Sequence, residues 1–158
     1  MRKEKAGIMG VIEIICRGKD GKVKGERLVR NKITNAGLAA MAALLLTDVT
    51  EDGFDYIAVG VGTTAAAATD TTLETEITDS GLARAAGTGT RVTTTVTNDT
   101  AQLATTFSVT GSKAVTEAGM LNAASAGDLL ARQVFSALNV VDGDSLAITW
   151  KIVFTETA

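Results

Sequence analysis

Residues 115–154 read VTEAGMLNAASAGDLLARQVFSALNVVDGDSLAITWKIVF, and this stretch decides the fold. Apolar residues recur at Met120-Leu121, Leu129-Leu130 and Val134-Phe135. Between the first two lies Ala124-Ser125-Ala126-Gly127-Asp128, whose small and turn-prone composition suits a hairpin connection. From Ser145 the chain alternates, with Leu146, Ile148, Trp150, Ile152 and Phe154 on one side and Ala147, Thr149, Lys151 and Val153 on the other. A period of two marks a strand with one face in a core, so Trp150 and Phe154 are expected as core anchors. Arg132 sits inside Leu129-Leu-Ala-Arg-Gln-Val, either as a solvent-facing strand residue or in an ion pair with Glu117 across the hairpin.

The pattern extends upstream. Ile8 to Cys16 and Lys22 to Val29 flank Gly18-Lys-Asp-Gly21 and predict a hairpin closed by an Asp-Gly turn. Ala36 to Leu46 predicts a helix capped by Thr34 or Asn35, with Leu38, Met41, Ala42 and Leu45 on its inward face. Tyr56 to Val61 is a short apolar strand, and Thr69 to Ile77 predicts a capped helical turn with Leu73 and Ile77 inward and its acids in solvent. Thr90 to Asn98 and Thr100 to Thr110 predict a second hairpin across Asn98-Asp99. The expected fold is all-β, an antiparallel β-sandwich with one packed helix near residues 35–46. A basic arm, 1–7, precedes a single domain, 8–158.

Composition agrees and narrows the chemistry. A chain of 158 residues buries roughly 70% of its unfolded surface as one domain. Hydrophobic content is 46% but aromatic content only 4%, so Val, Ile, Leu and Ala must build the core, while 24 threonines favour pleated surfaces. There is no histidine, which excludes Ser-His, Cys-His and histidine-ligated zinc schemes. Cys16 is alone in an apolar run and reads as a buried structural thiol. With no proline, Gly, Asn and Asp must set the turns. No apolar run approaches the roughly 20 residues of a membrane-spanning helix, and no secretory leader pattern opens the chain, so a soluble, reducing cytoplasm is the expected setting.

Three local patterns imitate chemistry. Gly60-Val-Gly-Thr-Thr-Ala65 meets a relaxed dinucleotide fingerprint, with Asp79 downstream, but the threonine-rich strands that follow do not continue a parallel β-α-β unit. Asp142-Gly-Asp144 lacks the ligand series of a calcium loop and reads as a turn. Glu51, Asp52 and Asp55 are acids without the aromatic platforms of a glycosidase cleft. No catalytic, cofactor or metal residue is therefore assigned, and the protein is expected not to be an enzyme.

Charge is unevenly spread: residues 1–32 hold ten of the fifteen Lys and Arg with four acids, while the remainder is strongly acidic. Arg2, Lys3, Lys5, Lys22, Lys24 and Arg27 are the candidate contacts to an acidic partner. A net charge of −3 and few aromatics among these bases argue against nucleic acid.

Glu117-Ala-Gly-Met-Leu-Asn-Ala-Ala-Ser-Ala-Gly-Asp-Leu-Leu-Ala-Arg132, followed by Val140-Val-Asp-Gly-Asp-Ser-Leu-Ala-Ile-Thr-Trp-Lys-Ile-Val-Phe154, resembles blocks of small virion structural proteins of tailed bacteriophages. The Asn31 to Met41 and Tyr56 to Ile77 blocks stand in the order of phage head-decoration, neck and tail-fibre-associated proteins. The resemblance spans roughly residues 8 to 155 and rests on structural motifs. It implies a capsid decoration or cement protein that bridges capsid subunits in the virion, assembled in the host cytoplasm. The implied partners are the major capsid protein or other virion proteins and further copies of itself, a trimer among the candidate forms, with no membrane partner. The alternative is a neck, tail or tail-fibre-associated adaptor for host recognition.

Overall fold

The computed structural model describes residues 5–47 and 49–157, with side chains for 7–47 and 49–156. The order is β1 (Lys5–Arg17), β2 (Val23–Arg30), β3 (Lys32–Ile33), α1 (Asn35–Ala43), β4 (Tyr56–Gly60), β5 (Ala85–Ala86), β6 (Thr88–Val92), β7 (Thr100–Ser108), β8 (Lys113–Leu121), β9 (Leu129–Val140) and β10 (Ser145–Thr157). They form two antiparallel five-stranded sheets, β2-β1-β10-β7-β6 and β3-β9-β8-β4-β5. The fold is all-β with one short helix, as the strand periodicity predicts.

Alternation places the core between the sheets. Ile12 and Ile14 of β1, Leu103 and Phe107 of β7, and Leu146, Ile148, Trp150 and Ile152 of β10 meet Ile57 and Val59 of β4, Met120 of β8, and Leu130, Phe135 and Leu138 of β9. Phe154 departs from the expected anchor role. It keeps the register but is 47% exposed, while Val153, on the opposite face, is buried. β10 runs past the end of the covering sheet, so its last inward residue has little to pack against.

The turns form where small and Asx residues predict them. Gly21, at φ 77°, closes the β1–β2 hairpin, and Asp20 accepts from the Lys22 amide at 3.0 Å. Ala126 and Gly127, both at positive φ, turn β8 into β9, where Asn122 Oδ1 accepts from the Asp128 amide. Both positions need the left-handed region that glycine enters without steric cost. β1 starts at Lys5, inside the expected arm, and pairs with β10 from Lys5↔Thr157.

Three expectations about the middle of the chain need correction. The first arm of the second hairpin is β6, Thr88–Val92, and not Thr90 to Asn98; residues 93–99 form bends and a turn in which the Asp99 carboxylate accepts from the amides of Thr94, Thr95 and Val96. The helix ends at Ala43 rather than Leu46; Leu45 and Leu46 close only i→i+3 turns. Its inward face is Gly37 and Ala40, with Met41 partly buried, whereas Leu38 is 47% and Leu45 is 85% exposed. Gly37 lies directly on the Leu130 backbone, an approach only small residues allow, so size overrode hydrophobicity in choosing the face. Thr34 caps the helix as expected, its Oγ1 accepting from the Gly37 amide at 2.9 Å. Residues 61–77 form an irregular strap, not a helical turn, held to β4 by Val61 N→Thr75 O and Ile77 N→Val59 O, both 2.9 Å. Leu73 and Ile77 do point inward, each 5% exposed.

Candidate functional site: a clasped strap, a pinned hairpin and an open groove

The strap covers the outer face of the second sheet. Leu73 packs there against Ala58, Leu121 and Leu129. Beside this apolar contact sits Glu117, 0% exposed, with Arg132, 2% exposed. Arg132 donates through Nε to Glu117 Oε2 at 2.8 Å, through Nη1 to Asp70 Oδ2 at 2.8 Å and through Nη2 to the Thr64 carbonyl at 3.1 Å. Glu117 also accepts from the backbone amides of Gly62, Thr75 and Glu74 at 3.0, 2.7 and 3.1 Å. A buried charge is tolerable only when its whole hydrogen-bonding capacity is met, and this pair meets it with strap backbone. Burial alone would lower the Arg132 pKa, but its bonds to Glu117 and Asp70 outweigh that and raise it.

Of the two readings open for Arg132, the ion pair with Glu117 across the β8–β9 hairpin is the one present, and the solvent-facing one is excluded by its burial. The expectation that the strap acids face solvent is overturned. Asp70 bonds Arg132, Glu74 accepts from Thr64 N and Oγ1, and Glu76 makes a bidentate pair with Arg84 at 2.9 and 2.7 Å. Arg84 also donates to the carbonyls of Ala123 and Ala126, tying the strap to the β8–β9 turn. The glycines of the dinucleotide-like stretch serve this clasp: side chains at Gly60 or Gly62 would collide with Glu117. The acids Glu51, Asp52 and Asp55 lie in the loop before β4.

The basic hairpin is pinned to the sandwich. Asp144, 4% exposed, binds the Lys24 ammonium and accepts from the Val141 amide at 2.9 Å. Lys19 pairs with Asp142 at 3.4 Å, so both carboxylates of the Asp142-Gly-Asp144 turn hold the hairpin. Arg27 donates to the carbonyls of Ser136 at 2.9 Å and Ala137 at 2.7 Å, bridging β2 to β9. Of the six bases expected to meet a partner, Lys24 and Arg27 are thus engaged internally. Lys22 stays exposed near Asp20. Arg2 and Lys3 lie outside the described residues, as does the side chain of Lys5. Cys16 is buried, as expected, and burial followed by the Asp144 charge pushes its thiol pKa up.

The Lys24 bond comes first, and the Val141 amide second, in holding the Asp144 pKa below its ordinary 3.8. A carboxylate with a lowered folded pKa stabilises the fold above its unfolded value and loses that contribution as pH falls through the folded one. Asp144→Asn is expected to flatten the acid limb of stability. In urea unfolding between about pH 6 and about pH 2, the wild type should lose more midpoint than the variant. Equal losses would remove Asp144 from the acid response.

A third feature had only an indirect signal in the sequence. At the overhanging end of β1 and β10 lies an open groove of about 770 Å³, walled by Ile8 and Phe154 on one side, Leu38, Met41 and Leu45 on the other, with Val96 at its lip. Its charged lining is Asp99 and Glu156, both acidic. Asp99 is held well below the usual carboxylate range by the backbone amides of Val96, Thr94 and Thr95. The clue was Leu44-Leu45-Leu46, an apolar run longer than the helix can bury.

The chain matches no protein-family model, no curated protein and no solved structure.

Proposed function

We propose that this chain is a bacteriophage virion structural protein, a capsid decoration or cement protein that bridges neighbouring capsid subunits. The observation that carries this reading is the open apolar groove, where Leu45 is 85% and Val96 is 66% exposed. Contiguous apolar surface of this kind marks a protein–protein contact. Its acidic lining favours an apolar partner segment flanked by bases, while the exposed bases of the hairpin favour acidic capsid surface. The clasped strap and pinned hairpin support the same reading, because a rigid module loses little conformational entropy on docking. Stabilisation would follow from mass action: a protein that binds the assembled shell and not its separated subunits makes local opening more costly.

The test is binding to purified phage heads and, separately, tails that lack the protein. Co-sedimentation with heads is expected, together with a rise in the temperature at which they rupture. Leu45→Asp combined with Phe154→Asp should weaken head binding by about tenfold or more. Binding to tails alone would transfer the protein to a neck, tail or fibre adaptor role, and binding to neither would sink the virion reading.

A further inference from the structure

We propose that the outer face of the β2-β1-β10-β7-β6 sheet is a two-fold interface between copies of this chain. The strap covers the outer face of the other sheet, but this one carries Val11, Glu13 and Ile15 of β1, Leu28 and Arg30 of β2 and Lys151 of β10 on the side away from the core. Leu28, on the edge strand β2, is 73% exposed. Five strands spaced about 4.8 Å apart and averaging about ten residues give a face on the order of 800 Å², of which the corner at Val153 and Thr100 is already buried within the chain. A stable interface takes about that area from each partner.

The charge pattern selects a second copy as the occupant. Val11 stands opposite Arg30 on one side and Lys151 on the other, so one row across the sheet is basic at both flanks. In the next row, Glu13 stands between Leu28 and Thr149. None of the ion pairs among the described residues uses Glu13, Arg30 or Lys151. A two-fold axis in the interface plane, at right angles to β1 and midway between Val11 and Glu13, exchanges these two rows. Each Glu13 then lies over the partner copy's Val11, flanked by that copy's Arg30 and Lys151, and each Leu28 lies over the stem of an Arg30. Isologous contacts require such self-complementarity, and here Glu13 meets Arg30 and Lys151 in both directions through one operation, while Glu26, opposite Ile15, lies outside the two exchanged rows. Facing sheets pack about 10 Å apart, within the combined reach of Glu and Lys or Arg side chains.

Sedimentation equilibrium of the full chain at micromolar concentration tests the pairing. A dimer is expected, with affinity falling as salt is raised. Glu13→Lys places three like charges together and should raise the dissociation constant about 100-fold. Adding Arg30→Glu and Lys151→Glu to that variant reverses the whole pattern and should restore the dimer. All three residues are exposed, and circular dichroism should show an unchanged β spectrum throughout. A monomeric or trimeric wild type, an unaffected Glu13→Lys variant, or a triple variant that stays monomeric would overturn the proposal. The pairing is independent of which virion protein meets the groove.

Discussion

Arg132→Met is expected to cost about 3 to 5 kcal/mol of folding stability, because it leaves the buried Glu117 carboxylate without its counter-charge. Glu117 is 0% exposed and would keep only the amides of Gly62, Glu74 and Thr75. Those amides belong to the strap, so the loss has a direction. Residues 61–77 should open first, exposing the Leu73 contact, while the β1–β10 pairing retains its protection. Hydrogen exchange resolved along the chain, together with urea unfolding, checks both parts. Combining Arg132→Met with Glu117→Gln removes the stranded charge and should recover part of the lost stability, the non-additivity expected of two groups in one network. A loss below about 1 kcal/mol, or protection lost evenly along the chain, would mean that apolar contacts hold the strap and the ion pair merely accompanies them.

Trp150→Ala is expected to cost about 3 to 5 kcal/mol, the range for removing a fully buried aromatic side chain. Trp150 is 0% exposed at the middle of β10, between β1 and β7, so the cavity would open where three strands meet the opposing sheet. Its Nε1 donates to Asn31 Oδ1 at 2.9 Å, and Asn31 Nδ2 is buried with no partner among the described residues. Trp150→Phe separates packing from polarity, since it keeps most of the ring volume but strands the Asn31 oxygen. Its expected cost is about 1 to 3 kcal/mol. Circular dichroism melts of both variants supply the comparison, because the chain has a single Trp and loses its fluorescence reporter with it. Equal costs for the two variants would place the whole effect in the hydrogen bond.

Most strands and hairpins were legible because period-two alternation and turn chemistry act locally. The Thr90 to Asn98 arm was not, since its threonines suit a strand but the Asp99 carboxylate binds the amides of Thr94, Thr95 and Val96 and ends the strand at Val92. Ile12, Ile14, Leu146, Ile148 and Trp150 lie inward by parity alone, and Gly21 and Gly127 mark turns by backbone freedom. Charge pairing was legible only where one hairpin brings the partners together, as with Glu117 and Arg132. Arg84 with Glu76 and Lys24 with Asp144 join through the tertiary fold, and no spacing rule announces them.

Apolar character alone misassigned Leu38, Leu45 and Phe154, because burial depends on what stands opposite a residue as well as on what the residue is. The sequence by itself determined an all-β chain, its turns, its helix cap and the parity of its core strands. Tertiary structure alone decided that the strap acids would be clasped, that two of the expected partner-binding bases would be spent on the hairpin's own anchorage, and that an apolar groove would remain open. The physical reason is range. Backbone preference and alternation are set by neighbours in sequence, whereas desolvation and ion pairing are set by neighbours in space.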